Sequence, residues 1–287
     1  MGIIGGSGIY DLPGLTDLRE EKIASPWGEP SDTPLSGRIG AVKVVFLPRH
    51  GRGHRLSPSG INYRANIDAL KRCGVTDIVS LSACGSFRAE LYPGMFVMID
   101  QIVDRTHGRA SSFFGNGCVA HVSMAHPIAP LLQNRLAEAA KAEGLAHVRG
   151  GTYVCMDGPQ FSSLAESMTY KGLGYDVIGM TAMPEAKLAR EAEMSYATVA
   201  MVTDFDCWHP DHGAVDVAAV IRVMQDNAHH ARALIARLLK DFPRAHEACP
   251  IGSDRALDFA LVTAPEQRDP ALLARLDAVA GRVLKAS

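Results

Sequence analysis

The chain has no excess of positive charge. Lys and Arg number 29 against 31 Asp and Glu, a formal net charge of −2 over 287 residues. Without a basic face or tail, composition argues against nucleic-acid and anionic-membrane partners. Aromatic residues make up only 6%, which speaks against a stacking platform for single-stranded bases. No apolar run approaches the roughly 18 residues of a membrane span. The first residues show no charged region followed by a long apolar run, so no secretory signal is expected. The six cysteines (Cys73, Cys84, Cys118, Cys155, Cys207 and Cys249) form no Cys-x-x-Cys pair. Most lie in apolar or Gly-rich surroundings, as reduced thiols of a cytoplasmic protein do. There is no internal repeat, no low-complexity linker, no dinucleotide fingerprint and no Walker lysine. His209 and His212 could offer two imidazoles to zinc, but Pro210 breaks the helical spacing and no third ligand is evident. No metal and no cofactor are therefore expected.

What is present is a 47% hydrophobic composition, enough for one large domain. Strand-like runs alternate with helical ones, which predicts a single α/β domain: a mixed, mostly parallel sheet covered by helices on both faces. Strands are expected at 2–4, 42–47, 77–81, 96–103, 151–156, 175–179 and from 198. Helices are expected at 62–72, 130–143, 163–171, 183–192 and 215–239. The domain is taken as residues 1–245. Residues 246–287 form a C-terminal extension whose helix opens at Asp269-Pro270 and carries Leu272, Leu273, Leu276, Val279, Ala280 and Val283 on one stripe.

Several strands end in chemistry-bearing residues. The run Thr198 to Val202 has the composition of a strand buried on both faces, and it leads into Asp204 and Asp206. In an extended chain these two carboxylates share a side; the alternative is a turn or helix start that uses Asp as a cap. Burial and a neighbouring like charge raise a carboxyl pKa. Ser7 lies in a Gly-rich turn, which is either an anion cradle or an ordinary strand-to-loop turn. Arg49 and His50 end another strand, within either an anion site or a solvated basic loop. Ser82, Ala83 and Thr181 follow further strands. Hydroxyls, backbone N–H groups and one Arg suit phosphate, and a protonatable carboxyl suits a departing purine. Together they fit phosphorolysis of a nucleoside, in which acid assistance is worth about 10²–10⁴-fold.

These strings resemble the 5′-methylthioadenosine phosphorylases of the trimeric purine nucleoside phosphorylase family. The matching stretches include Gly2-Ile-Ile-Gly-Gly-Ser-Gly, Arg49-His50-Gly51, Asn62-Tyr63, Ala83-Cys84-Gly85-Ser86, Gly158-Pro159 with Phe161-Ser162-Ser163, Met180-Thr181 and Thr203-Asp204-Phe205-Asp206-Cys207-Trp208, in register over residues 1 to about 240. The resemblance implies a nucleoside phosphorylase-like three-layer sandwich and a homotrimer with shared active sites. It implies phosphate binding by Ser7, Arg49, His50, Ser82, Ala83 and Thr181. Met180 would hold the ribose and Phe161 would stack on the base. Asp204 would contact N7 and the 6-amino group, supported by Asp206 and Ser162. Val217, Val220 and Ile221 would receive the methylthio group, and His121 would reach a neighbouring subunit's site. Without the resemblance, that i, i+3, i+4 stripe reads equally as ordinary helix packing. Gln160 stands where an Arg is often seen and Gly179 where some members have Asn, which bears on substrate preference. The alternative is a phosphorylase of 6-oxopurine nucleosides such as methylthioinosine, inosine or guanosine.

Overall fold

The computed structural model describes residues 1–6, 12–210 and 217–284. Eleven strands lie among them: β1 (Gly2–Gly5), β2 (Leu15–Glu20), β3 (Leu35–Ile39), β4 (Val42–Pro48), β5 (Asp77–Ser86), β6 (Phe96–Met98), β7 (Gln101–Asp104), β8 (His147–Arg149), β9 (Thr152–Cys155), β10 (Val177–Gly179) and β11 (Ser195–Asp204). The helices are α1 (Tyr63–Arg72), α2 (Pro130–Ala142), α3 (Leu164–Gly172), α4 (Ala182–Glu191), α5 (Val217–Lys240), α6 (Pro270–Arg275) and α7 (Gly281–Leu284). Local chemistry sets their starts. The Asn62 side chain accepts from the Ala65 amide at the head of α1. Pro130 opens α2, and Ser163 with Glu166 forms a capping box on α3.

All strands belong to one sheet, and most of their pairings are parallel. The long strands β5 and β11 are buried along almost their whole length, as expected of strands covered on both faces. Helices α2, α4 and α5 lie against β11, with α1 packed on α4 and α5 on α2. β5 is the pivot. One of its edges carries β11 throughout, while the other carries β1 at Ile78–Ser80 and then β10 at Gly85–Ser86. Between those two partners no strand among the described residues is registered on that edge, and Ser82 and Ala83 fall in the gap.

The structure alters three of the sequence expectations. The run 96–103 is two strands: β6 pairs with β11 and β8, and β7 pairs with β9. The parallel ribbon bends at Gly150 and Gly151, whose φ values of 93° and 126° suit only glycine. The Asp77 strand continues to Ser86, five residues further than its apolar run. The C-terminal stripe packs as expected, with Leu276, Val279 and Ala280 buried, but the helix is broken into α6 and α7. The intervening turn lets Asp277 pair with Arg72, and Arg282 pairs with the buried Glu193. Leu257, Ala260 and Leu276 belong to the same core cluster as the sheet. No helix among the described residues is long and apolar enough to cross a membrane.

Gly179, the residue at which some resembling chains carry Asn, is fixed by its neighbour. A Cβ there would stand 1.8 Å from the Tyr153 hydroxyl, inside the fully buried face of β9. Gly179→Ala is therefore expected to destabilise the fold by about 1–3 kcal/mol or more through overpacking, read as a lowered midpoint in thermal unfolding. An unchanged midpoint would show that Tyr153 can swing aside.

Candidate active site

The gap on β5 is filled from the opposite direction by Arg49, which comes directly after β4. Its guanidinium is 3% exposed. Nε donates to Glu185 at 2.9 Å, Nη2 to Glu185 and Ser80, and Nη1 to the Leu81 carbonyl at 3.0 Å. Burial works against the charge, and the ion pair with Glu185 more than offsets it. Glu185 also accepts from Ser80 Oγ at 2.6 Å and Tyr196 Oη at 2.9 Å. Among the described residues four of the five guanidinium N–H groups are thus engaged, and the second Nη1 hydrogen is offered to a ligand.

Ser82 and Thr181, far apart in sequence, are brought to 3.3 Å between hydroxyl oxygens, and Tyr153 Oη lies 3.4 Å from Ser82. Thr181 stands at the N-cap of α4 and makes no side-chain cap bond. His50 contributes no positive charge. Its Nδ1 is 2.8 Å from the Leu56 carbonyl, which can only accept, so Nδ1 carries the hydrogen. Burial, foremost, pulls its pKa down to about 4. Arg52 binds Glu20 and Arg55 binds the Ser31 carbonyl, so the charges of the loop are already engaged. Ser7 lies outside the described residues, as does His212.

The carboxylate pair ends β11, but not in the extended geometry that alternation suggests. A register shift between Val202 and Asp204 leaves Thr203 as an extra residue opposite β5. Asp206 then adopts φ 52°, and its backbone N–H donates to Asp204 Oδ1 at 2.8 Å. The pair is therefore linked by an Asx-type turn. Thr203 Oγ1 lies 2.7 Å from Asp204 Oδ2 and 3.1 Å from the Cys84 carbonyl. The hydroxyl owns one hydrogen and the carbonyl none. Thr203 therefore shares that hydrogen between Asp204 Oδ2 and the Cys84 carbonyl. Burial raises the pKa of Asp204 above the usual carboxylate range, and its hydrogen bonds oppose the shift only in part. Asp206 is raised too, again chiefly by burial, and its Oδ2 has no hydrogen-bond partner among the described residues.

A third side is formed by the loop after β9. Gly158 (φ 65°) packs so tightly on Met180 that a Cβ there would meet Sδ at 2.3 Å. Ser162 is drawn to the carboxylate turn, since Cys207 Sγ donates to its carbonyl at 3.5 Å. Trp208 anchors the turn by donating to the Ser86 carbonyl at 2.6 Å. Phe161 stands out from this wall, 47% exposed. On α5 the stripe is not core packing in the single chain: Val217 and Ile221 are exposed and Val220 is partly so, whereas Ala231, Leu234, Ile235 and Leu238 further along are buried. His121 is not brought to the carboxylate turn by any hydrogen bond among the described residues. It is exposed, and its backbone pairs with Ala260 of the C-terminal segment. No group of three potential metal ligands occurs among the described residues.

The split α/β sheet carries a hydroxyl-lined gap on one edge of β5 and a buried carboxyl of raised pKa at the end of β11, and the sequence profile of the phosphorylase superfamily matches residues 1–240. The chain belongs to that superfamily. It is 73% identical over 285 residues to the S-methyl-5′-thioadenosine phosphorylase of Bradyrhizobium diazoefficiens, covering 99% of this chain and 98% of that one. Among solved structures, a methylthioadenosine phosphorylase sourced from an antarctic soil metagenomic library matches with a TM-score of 0.91 and 47% identity, covering 97% of each chain. The methylthioadenosine phosphorylase of Schistosoma mansoni in complex with adenine matches with a TM-score of 0.82 and 37% identity, over 89% of this chain and 96% of that one.

Sequence reasoning did not assign site roles to Thr203, Tyr153, Arg109 or Glu185. The proline after Met183 and the acid after it gave no sign that Glu185 would meet an arginine 136 residues away. The pairing makes a test. Arg49→Ala leaves a buried carboxylate without its cation, a cost of about 3–5 kcal/mol. The double variant Arg49→Met with Glu185→Leu is expected to lose less than the sum of the two single changes in denaturant unfolding. Additive losses would show that the pair is not coupled.

Proposed function

We propose that this chain phosphorolyses 5′-methylthioadenosine to adenine and 5-methylthioribose 1-phosphate, with inorganic phosphate as co-substrate and no cofactor. The observation that carries the reading is the buried Asp204 carboxyl at the end of β11, held by Thr203 and by the Asp206 backbone N–H, with its pKa raised by burial. A buried carboxyl of raised pKa at the end of β11 is suited to act as the general acid for a purine leaving group. The hydroxyls of Ser82 and Thr181 and the remaining Arg49 N–H form a cradle of donors for an anion.

In this proposal phosphate is held by Ser7, Arg49, Ser82, Ala83 and Thr181. His50 takes part through its backbone, or through a bare Nε2 that accepts from a protonated phosphate oxygen. A phosphate oxygen attacks the anomeric carbon as the bond to N9 breaks. The bond's electrons pass into the purine, and Asp204 transfers its proton to N7. Asp206 holds Asp204 through its backbone N–H and disfavours a second negative charge. Met180 lies along the ribose, Phe161 covers the base, and Ser162 borders it. Val217, Val220 and Ile221 take the methylthio group. Their exposure in one chain supports a cover supplied by another copy, and His121 belongs to that cover in a homotrimer. Residues 1–245 form the catalytic domain, residues 246–287 are an extension that backs the His121 segment, and the enzyme works in the cytoplasm.

Adenine places an N7 acceptor beside a 6-amino donor, and one neutral carboxylic acid answers both. A 6-oxopurine would turn O6 toward the carboxyl C=O, leaving a buried acceptor unpaired at about 1–3 kcal/mol. This favours the 6-amino substrate over the 6-oxo alternative. Asp204→Asn is expected to lower kcat/KM for methylthioadenosine by about 10²-fold or more and to shift the preference toward methylthioinosine, because an amide offers two N–H donors. Asp206→Asn should be milder. Retention of the adenine preference by Asp204→Asn would place the N7 donor elsewhere.

A further inference from the structure

Arg109 lies in the long segment between β7 and α2, remote in sequence from every residue assigned to the site. Its side chain is 3% exposed. Nη1 donates to the carbonyls of Met180 at 2.8 Å and Met183 at 2.7 Å, and stands 3.3 Å from Tyr63 Oη. Nη2 donates to the Asp157 carbonyl at 2.8 Å and to Ser59 Oγ at 3.2 Å. Among the described residues the one carboxylate paired with it is that of Asp157, at 3.5 Å from Nε. A buried cation answered mainly by carbonyl dipoles is costly unless its geometry is well satisfied, so this site is built around the fork of one guanidinium.

The two segments that the fork joins are informative. Met183 has φ −119° and ψ 137° inside the first turn of α4, so its carbonyl is turned out of the helix ladder and toward Arg109. Met180 and Met183 bracket Thr181 on the phosphate side. Asp157 leads directly into Gly158, Pro159 and the Phe161-Ser162 wall on the base side. No other side chain among the described residues donates to both segments. The geometry points to Arg109 as a positioning residue that couples the phosphate half of the site to the base half: anchoring either segment stiffens the other through the shared guanidinium. The inference rests on the proposed reading of those two halves. It concerns a residue that touches neither ligand.

Coupling between two ligands is reciprocal and measurable. Titration calorimetry would give the affinity for adenine with and without saturating inorganic phosphate, and the affinity for phosphate with and without adenine. The wild-type chain is expected to bind adenine about 5- to 150-fold more tightly when phosphate is present. Arg109→Lys keeps the charge but not the planar fork. It should still bind each ligand alone, with the enhancement falling toward unity and kcat falling with it. Asp157→Asn, at a partly exposed position, loosens the base-side end of the same tie and should reduce the enhancement less; it decides the matter if Arg109→Lys does not fold. An enhancement that survives in the folded variants, or that is absent from the wild type while both ligands bind, overturns the coupling role alone. Failure of the wild type to bind either ligand overturns the two-half site and the coupling with it.

Discussion

The parting of β1 and β10 along one edge of β5 is the constraint on which the candidate site depends. A strand edge left unpaired inside a protein exposes backbone groups that must find other partners. Here the Leu81 carbonyl finds Arg49, and Arg49 finds Glu185 from the start of α4. The same α4 start presents Thr181 to Ser82. A gap in the sheet therefore becomes a polar recess because the residues that fill its floor are tied to one another by a buried ion pair. The bulge at Thr203 works on the other edge of β5. It turns Asp204 toward Gly85, where a Cβ would stand 2.9 Å from Oδ1. The glycine is thus required for the carboxyl to approach the strand.

Much of this framework was legible in the sequence. The runs that became β4, β5 and β11 are apolar and β-branched, and each gives way to polar residues of a kind that suits a strand end at a cleft. Helix starts at Asn62, Pro130 and Ser163 were readable because capping is local chemistry. Of the residues that the sequence marked at strand ends, Arg49, Ser82 and Thr181 meet at the parted edge, while Asp204 ends the strand on the other edge of β5. The family resemblance was carried by strings at these same places, and the superfamily profile covers the same stretch of chain.

The features that were not legible depend on contacts distant in sequence or on a single dihedral. Alternation places Asp204 and Asp206 on one side of an extended strand, yet the positive φ of Asp206 converts them into a turn joined by a backbone hydrogen bond. Nothing in the composition of residues 96–103 distinguishes one strand from two; the break is imposed by the glycines of the partner ribbon. His50 reads as a possible cation until its ring is seen bonded to a carbonyl and buried. Arg109 sits in a polar loop with no periodic pattern, and its importance comes from acceptors that lie far from it in sequence. The apolar stripe of α5 has the spacing of any packed helix, and only its exposure separates a ligand face from a core face.

The proposed chemistry turns on the protonation of one carboxyl. Burial acts on Asp204 first and the neighbouring charge of Asp206 adds to it, while the hydrogen bonds from Thr203 and the Asp206 backbone oppose the shift only in part. The direct measurement is a pH titration of the aspartate carboxyl carbons by ¹³C NMR, with the Asp204 signal assigned by its loss in Asp204→Asn. The expected result is a carboxyl whose midpoint lies clearly above the ordinary value of about 3.9 for Asp and falls in Asp206→Asn. A midpoint at or below the ordinary value would mean that Asp204 is ionised as the enzyme works, and would contradict its role as the acid at N7.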